Sequence, residues 1–273
     1  MKLLAGKIAV VTGASRGVGK GIALELGAAG ATVYVTGRSE SAGPLPGTIG
    51  ETAAEVTRLG GTGVAVRCDH HDDDQVAAVF ARVRDDHGRL DVLVNNVFSA
   101  PDLARWLNRP FWELPVSAWD EVLGIGARSH YVASVFAAPL LFAAGRGLVV
   151  NVSSSGAVSY QQNTVYGVGK AAVDKMTADM AVELKPHDVA VVSLWPGLVR
   201  TELLATAARF TEDGRAVLDI PGAGEFDLGA AESPRFAGRG VAALAADPGV
   251  LEHTGQVRTT AGLAQRYGFP DAG

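Results

Sequence analysis

Apolar, β-branched runs alternate with helical patterns along the chain, and this alternation constrains the fold more than any other feature of the sequence. The runs lie at Ile8–Thr12, Thr32–Thr36, Gly63–Cys68, Leu90–Asn95, Leu148–Val152, Val189–Leu194 and, less clearly, Gln256–Thr259. Most of them are apolar throughout, as strands buried on both faces must be. Helical patterns lie between the runs, at about 17–29, 50–59, 72–87, 117–144, 164–185 and 233–246. The alternation predicts an α/β fold in which a doubly wound, Rossmann-type parallel sheet of about seven strands carries helices on both faces.

No linker or fixed-period repeat divides the chain, so we expect residues 1–273 to form a single domain of this type. The segment at about 199–235 departs from the regular pattern, because it is polar and contains Thr211-Glu-Asp-Gly and Ile220-Pro-Gly-Ala-Gly. We interpret it as a loop or lid over a substrate site, with a plain insertion as the alternative.

Charge and cysteine content exclude several classes of protein. With a net charge of −5 and no visible basic patch, the chain is not expected to bind nucleic acid. Cys68 is the only cysteine, which excludes an intramolecular disulfide framework and suits the reducing cytoplasm. The stretch from Met1 to Lys7 lacks the apolar length of a signal peptide, and no apolar run approaches the ~20 residues of a membrane span. We therefore expect a cytoplasmic protein without a membrane partner.

A glycine-rich turn follows the first predicted strand. It runs Gly13-Ala-Ser-Arg-Gly17-Val-Gly19 and leads directly into the first helical pattern. Glycines at such a point allow the backbone to approach a pyrophosphate closely, with the phosphate at the helix N-terminus. In a glycine-rich chain the turn alone is a weak signal. Its place between the first strand and the first helix strengthens the prediction of a phosphate-binding site.

Tyr166 and Lys170 lie four residues apart in a predicted helix, so their side chains share one helix face. A neighbouring ammonium stabilises a phenolate, and we therefore expect the pKa of Tyr166 to fall towards the neutral range. Such a phenol is suited to donate or accept a proton in carbonyl reduction or alcohol oxidation. The alternative is a chance pair on a helix surface, and the motif alone is weak.

Further short motifs follow other predicted strands. In chain order, the whole set is Thr12-Gly-Ala-Ser-Arg-Gly-Val-Gly19, Asn95-Asn96-Val97, Asn151-Val-Ser-Ser154, Tyr166-x-x-x-Lys170 and Pro196-Gly197-x-x-x-Thr201. Together these motifs resemble those of the short-chain dehydrogenase/reductase (SDR) family, over nearly the whole chain. Stretches such as Phe111-Trp-Glu, Ser193-Leu-Trp-Pro-Gly197 and Arg266-Tyr-Gly268 resemble, within the family, the subgroup of dehydrogenase/reductase SDR family member 1.

The resemblance implies a catalytic triad of Ser154, Tyr166 and Lys170. Tyr166 would pass a proton to or from the substrate oxygen, Ser154 would hold that oxygen, and Lys170 would lower the Tyr166 pKa and hold the nicotinamide ribose. Ser153 and Ser155 are rival hydroxyls. Neighbours in a strand point to opposite faces, so only one parity can face the site, and the family pattern favours Ser154.

The resemblance also implies a set of cofactor-binding residues. They are Gly13, Ser15, Arg16, Gly17, Val18, Gly19, Arg38, Asp69, Asn95, Tyr166, Lys170, Pro196, Gly197, Val199 and Thr201. Within this set, Asp69 would contact the adenine, although a helix cap in Asp69-His-His-Asp-Asp-Asp is an equal alternative. The adjacent His70 and His71 are interpreted as solvated loop residues, and no metal site is expected.

The end of the second strand indicates the choice of cofactor. NAD selectivity usually requires an acidic side chain there, but the strand is followed by Arg38, with no acid before Glu40. Arg38 and Arg16 could together grip a 2′-phosphate through paired, charged hydrogen bonds. NADP(H) is therefore the favoured cofactor. NAD(H) stays possible because Glu40 could turn inward and bind the ribose hydroxyls.

The sequence thus predicts an NADP(H)-dependent oxidoreductase that moves hydride between nicotinamide and a carbonyl or secondary alcohol, with a homo-oligomer expected. An inactive nicotinamide-binding sensor and a nucleotide-sugar epimerase or dehydratase are the alternatives. Gly126 stands where the family usually has an Asn that supports the active-site Lys, which favours an altered proton relay or the sensor. Trp106, Trp112 and Trp119 are interpreted as packing residues, with an apolar substrate wall as the alternative.

Overall fold

Seven parallel strands form the central sheet in a computed structural model, which describes residues 2–41, 43–99, 106, 109–220 and 224–272. The strands of this sheet are β1 (Ile8–Val11), β2 (Thr32–Gly37), β3 (Thr62–Arg67), β4 (Val92–Asn95), β5 (Gly147–Val152), β6 (Val189–Trp195) and β10 (Gln256–Thr259). Their order is β10-β6-β5-β4-β1-β2-β3. The chain therefore changes direction across the sheet between β1 and β4, and ligands of such sheets bind at the carboxyl ends of the strands beside that point.

Helices cover both faces of the sheet, and the predicted doubly wound α/β fold is confirmed. They are α1 (Gly17–Ala28), α2 (Ile49–Arg58), α3 (Asp73–His87), α4 (Ser117–Leu123), α5 (Ser129–Ala143), α6 (Thr164–Leu184), α7 (Glu202–Ala207), α8 (Pro234–Ala246) and α9 (Thr260–Tyr267). Ala9 and Val11 of β1 pack into one buried core, whereas Ile8 and Val10 pack into the other. Because successive side chains of a strand point to opposite faces, one short apolar strand serves both cores.

Two glycines let α1 and α8 cross at close range on one face of the sheet. A Cβ added at Gly21 would lie 2.0 Å from the carbonyl oxygen of Pro234. A Cβ at Gly238 would lie 2.4 Å from the carbonyl oxygen of Gly21. The two helix backbones therefore touch directly, and this contact places the beginning of α1 next to the segment that precedes α8.

The structure departs from the sequence-based expectations in several regions, and α7 and α9 form where no helix was predicted. The predicted helix at about 117–144 is interrupted by a π-helical turn at Gly124–Arg128, where the ladder of hydrogen bonds shifts by one residue. Residues 209–227 contain a small antiparallel sheet of β7 (Arg209–Phe210), β8 (Ala216–Ile220) and β9 (Gly224–Asp227), where the sequence predicted only an irregular segment. Residues 221–223, part of the Ile220-Pro-Gly-Ala-Gly stretch, lie outside the described residues.

No helix within the described part of the chain is long and apolar enough to cross a membrane.

Candidate active site

Ser154 and Tyr166 meet at the carboxyl end of β5. The Ser154 Oγ and the Tyr166 hydroxyl oxygen lie 2.8 Å apart and share a hydrogen bond. Helix α6 brings Tyr166 there, and Asn163 fixes where that helix begins, because its Oδ1 accepts a hydrogen bond from the Tyr166 backbone N–H at 3.0 Å. The end of β5 and the capped start of α6 thus bring together Ser154 and Tyr166, which lie twelve positions apart in the chain.

The rival serines point elsewhere. Ser153 is buried, and its hydroxyl donates to the Lys170 carbonyl oxygen at 3.2 Å. The Ser155 hydroxyl accepts a hydrogen bond from the Gln161 side-chain amide at 2.8 Å. Of the three hydroxyls, Ser154 is therefore the one paired with Tyr166.

Lys170 lies one turn further along α6, with its ammonium inside the protein. It is 9% exposed, and its Nζ donates to the Val152 carbonyl oxygen at 3.2 Å. Burial lowers the pKa of Lys170 to about 8, and the nearby charge of Asp174 opposes that shift. Asp174 is itself held by Ser193 and Trp195 of β6. The side chain therefore carries its charge below about pH 8.

The sequence-based expectation of a lowered Tyr166 pKa is wrong for this structure. Burial raises the pKa of Tyr166, and the hydrogen bond with Ser154 lowers it by less. The Lys170 Nζ lies 5.8 Å from the centre of the Tyr166 ring, over its face, and is held there by the Val152 carbonyl. Burial of the phenol therefore sets the direction of the shift in its pKa, and Tyr166 keeps its proton at neutral pH.

The glycine turn packs tightly against the loop that follows β4. Gly13 has a φ of +65°, and an added Cβ would lie 2.7 Å from the Val97 Cα. A Cβ at Gly19 would lie 2.4 Å from the Asn96 Nδ2. The Asn96 side-chain amide donates to the carbonyl oxygens of Thr12 and Gly13 at 2.9 Å and 3.0 Å. The glycines are thus required by close packing as well as by backbone conformation.

Thr12 and Asn96 hold this turn, and sequence reasoning did not include them among the site residues. The Thr12 hydroxyl accepts the backbone N–H groups of Asn96 and Val97 at 2.9 Å and 3.2 Å. Both residues stood in the quoted motifs, next to the glycines and to Asn95, so the signal was present. Their roles depend on β1 and β4 being neighbours in the sheet, which the motifs alone do not state.

The first turn of α1 meets the segment after β6. Gly17 opens this helix with a φ of +58°, and its backbone N–H donates to the Glu202 Oε2 at 2.8 Å. Thr201 caps α7, and its methyl carbon lies 3.4 Å from the position of a Cβ added at Gly17. A carboxylate on the α1 N-terminus shows that this end of the helix accepts an anion. Ser15, just before it, is buried, and Val18 packs against the core.

The Pro196–Thr201 stretch is fixed from its other side by Glu232. The Gly197 backbone N–H donates to the Glu232 Oε2 at 3.0 Å, and Val199 forms a parallel bridge with the same residue. Burial raises the pKa of Glu232. The stretch is therefore held between the start of α8 and the start of α1, at the same edge of the sheet as Ser154.

The arginines lie at the end of β2, further along this edge. The Arg16 Nη2 donates to the Ser39 Oγ at 3.0 Å, and its Nε donates to the Pro46 carbonyl oxygen at 2.9 Å. Arg38 Nη1 lies 3.8 Å from the Asp69 Oδ2.

The Glu40 carboxylate pairs with Arg67 at 3.4 Å, and both side chains are more than half exposed. Glu40 is thus turned to the β3 edge of the sheet.

The loop after β3 differs from the sequence-based expectations for the cap of α3 and for the burial of His70. Asp72, not Asp69, caps α3, because the Asp72 Oδ1 accepts the backbone N–H groups of Asp74 and Gln75. His70 is buried rather than solvated, and its Nε2 lies 2.9 Å from the Thr36 Oγ1. Burial lowers the pKa of His70 to about 4, so it is neutral near pH 7. Among the described residues, no group of three or more His, Cys, Asp and Glu side chains is arranged to hold a metal ion.

Asn95 joins three elements below the site. Its Nδ2 donates to the Ser134 Oγ of α5 at 3.0 Å and to the Asn151 Oδ1 of β5 at 2.9 Å. Its Oδ1 is buried and has no hydrogen-bond partner within the described part of the chain. A buried acceptor of this kind favours a bound water or ligand group.

Gly126 leaves a space that an aromatic ring of a neighbouring loop borders. The position of a side chain at residue 126 faces the Phe98 ring, whose Cδ2 lies 3.4 Å from the position of an added Cβ.

Trp106 is buried against Val122 and Val165, as a packing residue should be. Trp112 is 72% exposed and Trp119 is also exposed, so the packing interpretation is wrong for these two.

The chain is similar in sequence to a family of known dehydrogenases. The family model described as short chain dehydrogenase matches residues 7–212. The protein Dehydrogenase/reductase SDR family member 1 is 45% identical in Mus musculus and 46% identical in Homo sapiens. Both alignments cover 97% of this chain and 83% of the relative.

Solved structures share the fold over almost the full length. A 7α-hydroxysteroid dehydrogenase complexed with NADH and 7-oxo glycochenodeoxycholic acid is 25% identical, with a TM-score of 0.76 over 96% of this chain and 95% of its own. A metagenomic short-chain oxidoreductase in complex with NADP is 28% identical, with a TM-score of 0.72 over 94% of this chain and 98% of its own.

Proposed function

The chain belongs to the short-chain dehydrogenase family, and on that premise we propose that it is an NADP(H)-dependent oxidoreductase acting on a carbonyl or secondary alcohol. The observation that carries the proposal is the 2.8 Å hydrogen bond between the Ser154 Oγ and the Tyr166 hydroxyl, beside the buried Lys170. A hydroxyl pair of this kind can hold one substrate oxygen and exchange one proton with it.

The residues at the edge of the sheet fit a dinucleotide. The α1 N-terminus accepts the Glu202 carboxylate and can accept a phosphate in the same way, and Gly13 and Gly19 shape the turn that leads into it. The cofactor would supply the hydride. Residues of the glycine turn would hold its phosphates, and the Pro196–Thr201 stretch would lie beside its nicotinamide.

The protein's own groups would manage the proton. Tyr166 is protonated at neutral pH and would donate to a carbonyl oxygen during reduction, and its raised pKa makes this donation depend on groups that stabilise the phenolate. Ser154 would donate a hydrogen bond to the same oxygen and align it. Lys170, charged below about pH 8, would stabilise the phenolate that remains on Tyr166 and would hold the ribose hydroxyls.

Hydride transfer tests the proposal directly. The purified protein is incubated with NADPH deuterated at C4 and a panel of aliphatic, aromatic and cyclic ketones, and the alcohols are analysed for deuterium by mass spectrometry. We expect one deuterium at the carbinol carbon of at least one product, and transfer by the Tyr166→Phe variant that is slower by about two orders of magnitude or more. Tight NADPH binding with no transfer to any ketone, and none from the matching alcohols to NADP+, would favour the sensor instead.

Contacts at the end of β2 support NADP(H) over NAD(H). Arg16 donates to the Ser39 hydroxyl and Arg38 directly follows β2, so both guanidinium groups belong to the segments that would surround a 2′-phosphate. Glu40, the one acid that argued for NAD(H), is paired with Arg67. Guanidinium groups bind phosphate oxygens in paired, charged hydrogen bonds.

The Arg16→Ala/Arg38→Ala double variant tests the cofactor. We expect wild type to have a higher kcat/KM for NADPH than for NADH. In the double variant that preference should collapse, mainly through a higher KM for NADPH, with NADH kinetics changed little. Arg58→Ala, an exposed arginine of α2 away from this turn, is the matched control. A wild type that prefers NADH, or a preference that survives the double substitution, contradicts NADP(H).

The remaining predictions stay proposals. These are a single domain over residues 1–273, a lid at about 199–235, a cytoplasmic location, a homo-oligomer and the absence of nucleic-acid and membrane partners. The Glu202 contact joins the proposed lid to the first turn of α1, and the Glu232 contact joins its far end to Gly197, so the segment is attached beside the site that it would cover.

A further inference from the structure

We propose that Phe98 is a positioning residue for the catalytic pair, and that its ring holds the Lys170 ammonium and the Tyr166 ring in place across the space left by Gly126. The inference rests on the proposed function and deepens it, because it concerns how the same proton-transfer groups are oriented. Phe98 lies in the loop after β4, three residues beyond Asn95, and its side chain is 36% exposed.

Gly126 makes room for this ring. A Cβ added there would lie 3.4 Å and 3.6 Å from the Phe98 Cδ2 and Cε2, so a methyl group would just touch the ring and a larger side chain would displace it. Gly126 lies inside the π-helical turn Gly124–Arg128, which presents a bare stretch of helix to the loop. The ring therefore occupies the space that a side chain at position 126 would otherwise fill.

Lys170 lies over the face of the same ring. Its Nζ is 5.1 Å from the centre of the Phe98 ring and 5.8 Å from the centre of the Tyr166 ring. An ammonium at this distance is attracted by the negative face of an aromatic ring, and the attraction grows when water is excluded. Because burial disfavours the charged form of Lys170, a ring face that favours it opposes the loss of the proton.

Phe98 also contacts the catalytic tyrosine. The Phe98 and Tyr166 ring centres are 6.0 Å apart, and the ring planes meet at 89°. This edge-to-face arrangement is favourable for aromatic pairs. It braces the ring of Tyr166 while the hydroxyl at its far end bonds to Ser154, so one side chain orients both residues of the pair.

The backbone next to Phe98 is itself held firmly. Val97 donates its N–H to the Thr12 Oγ1 at 3.2 Å, and its carbonyl oxygen lies 3.1 Å from the Nε2 of the buried His130. The Val97 Cα also packs against Gly13. Burial lowers the pKa of His130 to about 3, so it is neutral and its Nε2 donates to this carbonyl. The glycine turn and α5 thus fix the point from which the Phe98 ring extends.

Three variants separate a positioning role from simple packing. Phe98→Leu keeps much of the side-chain volume but removes the aromatic face, whereas Phe98→Tyr keeps the volume and the aromatic face. Gly126→Asn leaves Phe98 unchanged but displaces its ring. Phe142→Leu is the control, because Phe142 lies on α5 and stacks on His187 away from the site. Each variant is assayed for kcat and KM from pH 6 to 10, for the Kd of NADPH, and for its melting temperature.

The expected result is a change in kcat and in the pH profile together. In Phe98→Leu and Gly126→Asn, kcat should fall about tenfold, and the alkaline limb should move to lower pH by about half a unit or more, since the charged form of Lys170 loses its aromatic partner. Phe98→Tyr and Phe142→Leu should resemble wild type. The Kd of NADPH should change less than about threefold in every variant, because phosphate contacts supply most of that binding.

An NMR titration provides a readout that does not depend on turnover. The 15N resonance of the Lys170 side chain, assigned with Lys170→Met, is followed with pH, and its midpoint should be lower in Phe98→Leu than in wild type. If no substrate is turned over, the proposed function fails while this titration still tests the role of Phe98. Equal midpoints in wild type and a folded Phe98→Leu, an unshifted pH profile, or a Gly126→Asn variant with raised kcat would overturn the inference.

Discussion

At the scale of single residues, burial decides the chemistry of the site more than proximity does. Tyr166 and Lys170 share a helix face as the sequence predicts, yet the pKa of the phenol is raised, because burial raises it by more than the hydrogen bond with Ser154 lowers it. The same burial lowers the pKa of Lys170 to about 8. A protonated phenol beside a lysine of this kind suits reduction of a carbonyl at neutral pH.

The first prediction concerns the proton donor. Tyr166→Phe removes the hydroxyl and keeps the ring that packs against Phe98, so NADPH binding should stay within about threefold of wild type. Turnover should fall by about two orders of magnitude or more, the scale expected when general acid catalysis is lost. Steady-state kinetics and a fluorescence titration with NADPH provide the two measurements. Tyr160→Phe, at an exposed tyrosine, is the control, and near-normal turnover of Tyr166→Phe would reject its assigned role.

At the scale of secondary structure elements, short contacts at helix ends connect the segment after β6 to the rest of the site. Glu202 at the start of α7 accepts the Gly17 N–H of α1, and Glu232 accepts the Gly197 N–H. The N-terminus of α1 therefore holds an acidic side chain at the place proposed for a phosphate. Because both groups are anions, cofactor binding and the Glu202 contact oppose each other.

The second prediction follows from this competition. Glu202→Gln removes the negative charge and keeps the shape, so the Kd of NADPH should fall by about two- to fivefold, the usual worth of one charge at a helix end. Isothermal titration calorimetry at two salt concentrations provides the measurement, and the gain should shrink at high salt. Glu183→Gln on the exposed face of α6 is the control. An unchanged or weaker affinity of the Glu202 variant would show that the two anions do not compete.

The third prediction concerns the crossing of α1 and α8. Gly21→Ala places a methyl group 2.0 Å from the Pro234 carbonyl oxygen, so the helices must move apart. Overpacking of this kind costs about 1–3 kcal/mol of unfolding free energy. Urea denaturation followed by circular dichroism measures the loss. Gly43→Ala is the control, since a methyl group there meets no described atom within 4 Å, and equal stability of both variants would contradict the close crossing.

At the scale of the whole molecule, α5 leaves part of its surface apolar and exposed. Tyr131, Val135 and Ala138 follow one another at helical spacing along α5, and Tyr131 and Val135 are 56% and 48% exposed. Exposed apolar stripes of this kind are typical of interaction surfaces. They are consistent with the homo-oligomer that the sequence predicts, in which a second copy of the chain would cover the stripe.

The fourth prediction tests that assembly. The wild type should have a multiple of the 28.2 kDa chain mass by light scattering after size-exclusion chromatography. Val135→Glu places a charge in the stripe and should shift the protein to a smaller assembly without unfolding it. Glu183→Gln again serves as the control. A monomeric wild type at micromolar concentration, or an assembly that Val135→Glu leaves unchanged, would exclude this surface.

The sequence by itself determined those features that depend on local pattern. Strands buried on both faces read as apolar runs, so all the strands of the central sheet were predicted, and the turn between β1 and α1 was recognised from its glycines and its position. Strand parity separated Ser154 from Ser153 and Ser155 without choosing between them, and the resemblance to the family supplied the expected pairing of Ser154 with Tyr166. The small sheet at 209–227 was missed, since its two- to five-residue strands carry too little pattern to be recognised.

Only the tertiary structure decided the features that depend on packing between distant segments. The Phe98 ring lies against Gly126 because β4 and α5 are neighbours, and no spacing in the sequence shows that contact. Glu202 reaches Gly17 across 185 positions in the chain. The pKa of Tyr166 is raised because neighbouring segments exclude water from its hydroxyl. Burial and long-range contact belong to the folded arrangement as a whole, whereas periodicity and spacing belong to each segment alone.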